Sequence, residues 1–345
     1  MEKKFAAAEE VLKRILARQP DNLQVLDLQG QLLLATKKEA AARKVFARMI
    51  ELAPKNPLGY VRRGLLYKRQ RQYDQALKDL RQALALEPRL NKVAAEIVTI
   101  YMLEKKPDQA EAFCRERQRQ YPENAYYDQL LGRVYLSQRQ LDKAEKAFST
   151  AIEKDKNLLS AYVFLAAIYR RQGNVAAAEK KYEEMIAARP RALAPYMLLG
   201  LLREQRGKTA QAIEAYEQAL KIKEDFFPAM NNLAWLLVEH GGDLERAREL
   251  AEGAKRLQPE DPRITDTLGW VYYKKNELAK ALVYLREAAD KLADDPQVNY
   301  HLGMALVSSG DRLQGSRYLR RALEIDKNFP GAREAEKVLA QKGES

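Results

Sequence analysis

The sequence predicts an all-α protein in which helix pairs stack one after another along the chain. Two observations lead to this prediction, and both are patterns that repeat every 34 residues. The first is a register of small residues: Gly30, Gly64, Gly132 and Gly200, with Val98 and Ala166 at the remaining positions. The second register lies twelve residues later: Ala42, Ala76, Ala110, Ala144, Ala178 and Ala212. Repeats of roughly 20–50 residues are typical of units that cannot bury an apolar face alone, so an elongated solenoid is expected.

Residues 57–90 form the clearest unit and predict two helices. Spacings of three and four residues place two sets on one helical face each: Tyr60, Gly64 and Tyr67, then Ala76, Leu80 and Ala83. Because Gly64 has no side chain, the second helix is able to approach the first closely. The polar segment between them predicts a turn, with Asp74 capping the second helix. Pro88 is expected to end that helix, because a proline cannot donate a hydrogen bond.

This pattern resembles the tetratricopeptide repeat, a helix–turn–helix of 34 residues with a Leu-Gly pair, a Tyr, an Ala, an aromatic, an Ala and a Pro in that order. One further unit carries Leu131, Gly132, Tyr135, Ala144, Phe148 and Ala151, and another carries Leu268, Gly269, Tyr272, Ala281 and Ala288. Closing prolines keep the register at Pro20, Pro54, Pro88, Pro122, Pro190 and Pro259. The resemblance implies a right-handed α-solenoid superhelix of antiparallel helix pairs.

The period divides the chain into nine full units over residues 23–329. These units begin at residues 23, 57, 91, 125, 159, 193, 227, 262 and 296. Residues 1–22 match only the second helix of an incomplete unit. This helix is either a natural cap or the cut end of a longer repeat array, and we expect the second, so that the chain would be a piece of a longer protein. Residues 330–345 are expected to form a carboxy-terminal capping helix.

Composition indicates a well-folded, helix-rich protein with an uneven charge. The chain is 46% hydrophobic and 31% charged, and its net charge is +12. Residues 1–180 hold 34 Lys and Arg against 22 Asp and Glu, whereas residues 181–345 hold 26 of each. This asymmetry favours an anionic partner, although solubility alone also explains excess charge. We expect no transmembrane or targeting segment in these residues, and the compartment stays open: cytoplasmic or periplasmic.

The sequence offers no group of residues that predicts catalysis. Its two histidines, His240 and His301, fall in different repeats, and no Gly-rich phosphate loop occurs. Cys114 is the only cysteine, so we expect no internal disulfide and no cysteine-based metal site, and we expect its side chain to be buried. The prediction is therefore a protein that is not an enzyme and that has no metal and no cofactor.

The resemblance implies a concave groove lined by first-helix side chains, which can be assigned by sequence offset. The offsets predict a basic front, opposed only by Glu96: Arg62, Lys68, Arg69, Lys92, Arg133, Arg170 and Arg171. They predict an aromatic rear: Asn231, Trp235, Asp266, Trp270, Tyr273, Tyr300, His301 and Met304. The expected ligand is an extended protein or peptide segment whose acidic part meets the arginines and whose apolar anchors meet the tryptophans.

Two alternatives stay open at the groove. Trp235 and Trp270 are either anchors for a partner or packing residues between helices, because an aromatic at helical spacing is more often part of a core. The arginines are either binding residues or an ordinary solvated face. The Lys and Asn pair of the chaperone-binding members is absent at the matching offsets. The asparagine ladder of the sugar-transferase members is also absent, because Asn232 is the one asparagine at its positions.

The leading functional prediction is a protein-interaction scaffold in a bacterial assembly or secretion complex. Residues 231–325 are similar to the closing repeats of bacterial envelope proteins, including those associated with exopolysaccharide export and exosortase sorting, which favours envelope association. One alternative is the recognition arm of a larger export or transferase protein. Another is binding of an anionic polymer, nucleic acid or polysaccharide, by the basic half, although nucleic acid is not favoured because stacking aromatics are sparse there. The oligomeric state is not predicted.

Overall fold

The computed structural model describes residues 2–341, with side chains for residues 5–341, and contains twenty α-helices and no β-strand in that part of the chain. The helices are α1 (Glu2–Arg18), α2 (Leu23–Ala35), α3 (Glu39–Leu52), α4 (Pro57–Arg69), α5 (Tyr73–Leu86), α6 (Asn91–Leu103), α7 (Pro107–Gln120), α8 (Ala125–Ser137), α9 (Leu141–Lys154), α10 (Leu159–Arg171), α11 (Val175–Ala188), α12 (Leu193–Gln205), α13 (Thr209–Ile222), α14 (Phe227–Glu239), α15 (Leu244–Leu257), α16 (Pro262–Lys274), α17 (Leu278–Lys291), α18 (Pro296–Ser308), α19 (Arg312–Ile325) and α20 (Ala332–Ala340).

The all-α helix-pair architecture is confirmed. The even-numbered helices from α2 to α18 are the first helices of the nine units, and each begins at the residue where the period predicts a unit to begin. Every closing proline lies two residues beyond the end of a second helix, as Pro88 does after α5. The second helix α9 ends in the same register without a proline, at Lys154, so the proline is not required for the stop.

Small residues allow the two helices of a pair to approach closely, as predicted. A Cβ added to Gly132 on α8 would lie 2.7 Å from the ring of Phe148 on α9, closer than real Cβ contacts allow. The register twelve residues later is equally tight, because Ala144 and its equivalents are fully buried. The sequence period therefore marks the contact between the two helices of each unit.

The turn inside each pair contains one residue in the left-handed conformation. These residues again follow the repeat: Lys37, Arg71, Lys105, Arg139, Gly173, Gly207, Gly241, Asn276 and Gly310. The prediction that Asp74 caps the second helix is wrong. Helix α5 begins at Tyr73 after Gln72, so Asp74 lies within its first turn, where a carboxylate interacts with the helix dipole instead.

The chain divides into two compact parts, which are called the first unit and the second unit from here on, whereas each 34-residue helix pair is called a repeat. The first ends at Gly173 and the second begins at Asn174, in the turn between α10 and α11. This boundary falls inside the predicted fifth repeat rather than at a repeat border. The predicted division into residues 1–22, 23–329 and 330–345 follows repeat borders and stays a prediction. Each unit has its own apolar core, centred on residues such as Leu130 in the first and Leu285 in the second.

Candidate functional site

Three of the seven predicted basic groove residues are neutralised by carboxylates. Arg62 forms a bidentate pair, with Nε 2.6 Å from Asp27 Oδ1 and Nη2 2.9 Å from Asp27 Oδ2. The prediction that only Glu96 opposes these residues is wrong, because Asp27 and Glu39 of the preceding repeat also pair with them. The pairs are Arg62–Asp27, Lys68–Glu96 and Arg69–Glu39. Ion pairing between successive repeats therefore removes much of the positive charge expected at this surface.

The other four basic residues differ in exposure. Lys92, Arg170 and Arg171 are exposed. Arg133 is half-buried and lies near the buried Cys114 thiol, whose pKa it lowers against the larger effect of burial. Three of the four thus lie on the solvated surface that was the alternative to a binding role, and their part in binding stays a prediction.

The second unit contains a cavity of about 270 Å³ bordered by the first helices α12, α14, α16 and α18. Of the predicted rear residues, Asn231, Trp235 and Asp266 line it. Its polar lining includes Glu204, Asn231, Asn232, Arg263, Asp266 and Gln297. The structure thus brings together three of the residues predicted for the aromatic rear of the groove. It adds polar residues that the sequence analysis had not predicted, such as Glu204 and Gln297.

A buried polar network lies beside this cavity. The side chain of His301 is fully buried, and its Nδ1 lies 2.9 Å from Asp266 Oδ2. Its Nε2 lies 2.8 Å from the amide nitrogen of Gln297. An amide nitrogen only donates, so Nε2 accepts and the imidazole proton is assigned to Nδ1, which donates to Asp266. The network connects α16 to α18 and fixes the positions of Asp266 and Gln297 at the cavity.

Trp270 is a packing residue. It is 2% exposed, stacks on His301 with ring centroids 4.0 Å apart, and donates from Nε1 to Glu239 Oε1 at 2.6 Å. Tyr300 is 8% exposed and packs against Trp270. Neighbouring side chains already cover both rings, which favours the packing alternative for Trp270 and for Tyr300, and their part in binding stays a prediction. Tyr273, stacked on Trp270, and Met304 are half-buried and lie outside the cavity lining.

Trp235, in contrast, is half-buried and lines the cavity. The difference between the two tryptophans has a physical reason in the repeat. The residue 31 positions after Trp270 is His301, whose ring covers the indole, whereas the residue 31 positions after Trp235 is Asp266, which has no ring. Of the two tryptophans, Trp235 is therefore the one whose ring borders open space.

Two hydrogen-bond acceptors at the cavity have no partner. Six side-chain oxygens in the described part of the chain are buried without a hydrogen bond, and two of them, Asn231 Oδ1 and Gln297 Oε1, belong to cavity residues. A buried acceptor without a donor costs about 1–3 kcal/mol. A ligand that offers N–H groups to these oxygens would recover that free energy.

Glu204 places an uncompensated carboxylate at the same cavity. It is half-buried and accepts a hydrogen bond of 3.0 Å from the hydroxyl of Tyr216, which in turn accepts one from Asn232. Within residues 5–341, Glu204 forms no ion pair with a lysine or arginine, and the basic group that acts on it is His240. Burial raises the pKa of the Glu204 carboxyl above its usual value, because desolvation disfavours the charged form.

The stacked helix pairs and the groove cavity define a helical-repeat protein of the interaction-scaffold class. Five family models described as tetratricopeptide repeat match the chain, at residues 3–57, 57–90, 129–157, 157–225 and 192–328. The chain belongs to the tetratricopeptide repeat superfamily, as the sequence pattern predicted. Members of this superfamily bind protein or peptide partners and are typically non-catalytic.

Individual relatives add the fold and little more. The TPR repeat-containing protein PA4667 of Pseudomonas aeruginosa is 40% identical over 75 residues, a match that spans 22% of this chain and only 12% of that protein. The crystal structure of the APC/C hetero-tetramer Cut9-Hcn1 is 13% identical, and the match spans 99% of this chain and 94% of that chain with a TM-score of 0.52. The Pseudomonas aeruginosa pilF structure is 17% identical, covers 63% and 98%, and has a TM-score of 0.50. No helix in the described residues has the length and apolarity needed to cross a bilayer.

Proposed function

We propose that this protein is a non-catalytic scaffold that holds an extended segment of a partner protein along the first helices of its second unit. The observation that carries the proposal is the pair of buried, unpartnered oxygens, Asn231 Oδ1 and Gln297 Oε1, at one cavity. An extended segment presents backbone N–H groups at regular intervals, and such groups are the donors these oxygens lack.

The half-buried ring of Trp235 supports the same proposal. An indole that borders a cavity offers a large, rigid apolar surface at a low cost in conformational entropy, which is typical of the residues that dominate binding. Helices α14, α16 and α18 hold this cavity rigidly through the packed rings of Trp270 and His301. A preformed site of this kind binds without a large ordering cost.

The scaffold is proposed to act in a bacterial assembly or secretion complex. This setting rests on the envelope resemblance that the sequence pattern of residues 231–325 suggested, and the bacterial origin of PA4667 is compatible with it. A role as the recognition arm of a larger export or transferase protein is compatible with the same site. Binding of an anionic polymer by the first unit has less support, because Arg62, Lys68 and Arg69 are already paired with carboxylates.

Selection of random displayed peptides on the full chain tests the proposal. Selected peptides are then measured by calorimetry against Trp235→Ala and against Val283→Ala, a matched control that removes an exposed apolar side chain from α17, outside the cavity. We expect Trp235→Ala to weaken binding at least about tenfold, as loss of an interface anchor does, and Val283→Ala to leave it unchanged. Failure to select any peptide, or equal binding by both variants, would contradict the proposal.

A further inference from the structure

The geometry points to a basic side chain, lysine or arginine, of the partner segment as the occupant of the cavity beside Glu204. This inference rests on the proposed function, because it assigns the chemistry of one residue in the segment that the second unit would hold. It differs from the predicted acidic segment, which was to meet the arginines of the first unit.

The charges that line the cavity favour a cation. Three carboxylates, Glu204, Asp266 and Asp295, face one cation, Arg263. Asp266 is paired with His301, and Asp295 accepts hydrogen bonds from backbone N–H groups at the start of α18. The imidazole of His301 is neutral when it donates from Nδ1 and accepts at Nε2. In the part of the chain whose side chains are described, residues 5–341, none of the three carboxylates forms an ion pair with a lysine or arginine, so the lining carries an excess of negative charge. Glu204 differs from the other two because a single hydroxyl is its hydrogen-bond donor and His240 is the basic group that acts on it.

The position of Glu204 makes an added cation favourable. A half-buried carboxylate has lost part of its hydration, and among the described residues its hydrogen-bond donor is the neutral hydroxyl of Tyr216. Hydrogen bonds between a cation and such a carboxylate are shorter and roughly twice as strong as neutral ones. Arg263 opposes this attraction weakly, because it is exposed and its charge is screened by water and salt.

The remaining lining suits the rest of a basic side chain. A guanidinium carries five N–H donors and an ammonium three, and these add to the backbone N–H groups of the segment as donors for the unpartnered acceptors Asn231 Oδ1 and Gln297 Oε1. The methylene stem of a lysine or arginine packs well on an indole face and an exposed leucine, which Trp235 and Leu201 provide. An acidic side chain would instead bring a second negative charge beside Glu204.

A double-substitution experiment with the selected peptides tests the inference. Each lysine or arginine of a Trp235-dependent peptide is replaced by citrulline or norleucine, which keep the stem and remove the charge. Binding is measured for the wild-type chain, for Glu204→Gln, and for Glu214→Gln. The last variant is the control, because Glu214 is exposed on α13 and lies outside the cavity lining.

We expect one basic position of the peptide to lose at least about tenfold in affinity on neutralisation, as the removal of a charged hydrogen bond does. In Glu204→Gln the same peptide change is expected to cost less than about threefold, and in Glu214→Gln the full loss is expected to return. If a Trp235-dependent peptide shows no such position, or shows equal losses in both variants, this inference is wrong and the proposed function stands. If no peptide binds, the proposed function itself fails.

Discussion

His301 stacks on Trp270 with ring centroids 4.0 Å apart and ring planes 18° from parallel, which joins α18 to α16. The same imidazole donates to Asp266 and accepts from Gln297, two residues that line the cavity. One fully buried side chain thus sets both the packing beside the cavity and the orientation of two of its polar groups. Stability and the proposed binding in the second unit are therefore linked through His301.

Replacement of His301 by alanine is expected to destabilise the second unit by about 2–4 kcal/mol, because it leaves a void against Trp270 and removes the hydrogen-bond partner of Asp266. Both tryptophans lie in this unit, so urea unfolding followed by tryptophan fluorescence reports on it alone. The matched control is His240→Ala, at the exposed end of α14, which is expected to change stability by less than about 0.5 kcal/mol. Equal effects of the two substitutions would contradict the network.

The turn conformation predicts an unusual order of substitutions at Gly207. Its φ is +66°, and an added Cβ would meet nothing within 4 Å, so any cost is conformational rather than steric. Gly207→Ala is expected to cost about 1 kcal/mol, whereas the larger Gly207→Asn is expected to cost less, because asparagine tolerates the left-handed region. Thermal unfolding of the two variants measures the difference, and a less stable asparagine variant would argue against this turn geometry.

Glu204 predicts a pH-dependent difference in stability. Burial raises the pKa of its carboxyl, although the Tyr216 hydroxyl and His240 act in the opposite direction. Because the folded-state pKa is the higher one, the stabilisation from protonation is present below the unfolded pKa and is lost as the pH rises through the folded pKa. We therefore expect Glu204→Gln to be more stable than the wild type at about pH 7. We expect this difference in stability to disappear as the pH falls to about 4.

Paired thermal melts of wild type and variant across that pH range check the sign. The exposed Glu214→Gln serves as the control and is expected to show no pH-dependent difference. A Glu204→Gln variant that is less stable than the wild type at neutral pH would mean that the carboxylate is already compensated in the free protein.

Cys114 is expected to be unreactive in the folded protein. Its side chain is fully buried, and burial raises the pKa of the thiol to about 12, so almost no thiolate forms near neutral pH. A disulfide reagent at about pH 8 should leave the native chain unmodified and modify the urea-unfolded chain completely. Rapid modification of the native chain would show that α7 opens or packs differently.

Much of the fold was predictable because the repeat encodes local contacts. Gly132 and Ala144 lie where the two helices of one repeat touch, and such contacts follow directly from spacing along the chain. The start of each first helix followed from the same register. Asp74 was misassigned because helix α5 begins at Tyr73, two residues earlier than a cap at Asp74 requires.

The candidate site was only partly predictable because it depends on contacts between repeats. Arg62 and Trp270 occupy sequence positions that were predicted to face the groove. Asp27 neutralises Arg62 and His301 covers Trp270, and each partner comes from a neighbouring repeat. Gln297 was missed although it lies four residues before His301 on the same helical face, a spacing that indicates contact between the two side chains. Offsets identify which positions face a groove, but not which side chains are already satisfied there.

The position of a bound peptide tests the central claim most directly. A crystal structure of the full chain with a selected peptide is expected to show the peptide along α12, α14, α16 and α18, with its N–H groups bonded to Asn231 Oδ1 and Gln297 Oε1. A peptide bound instead on the second helices, with both oxygens still without partners, would contradict the account.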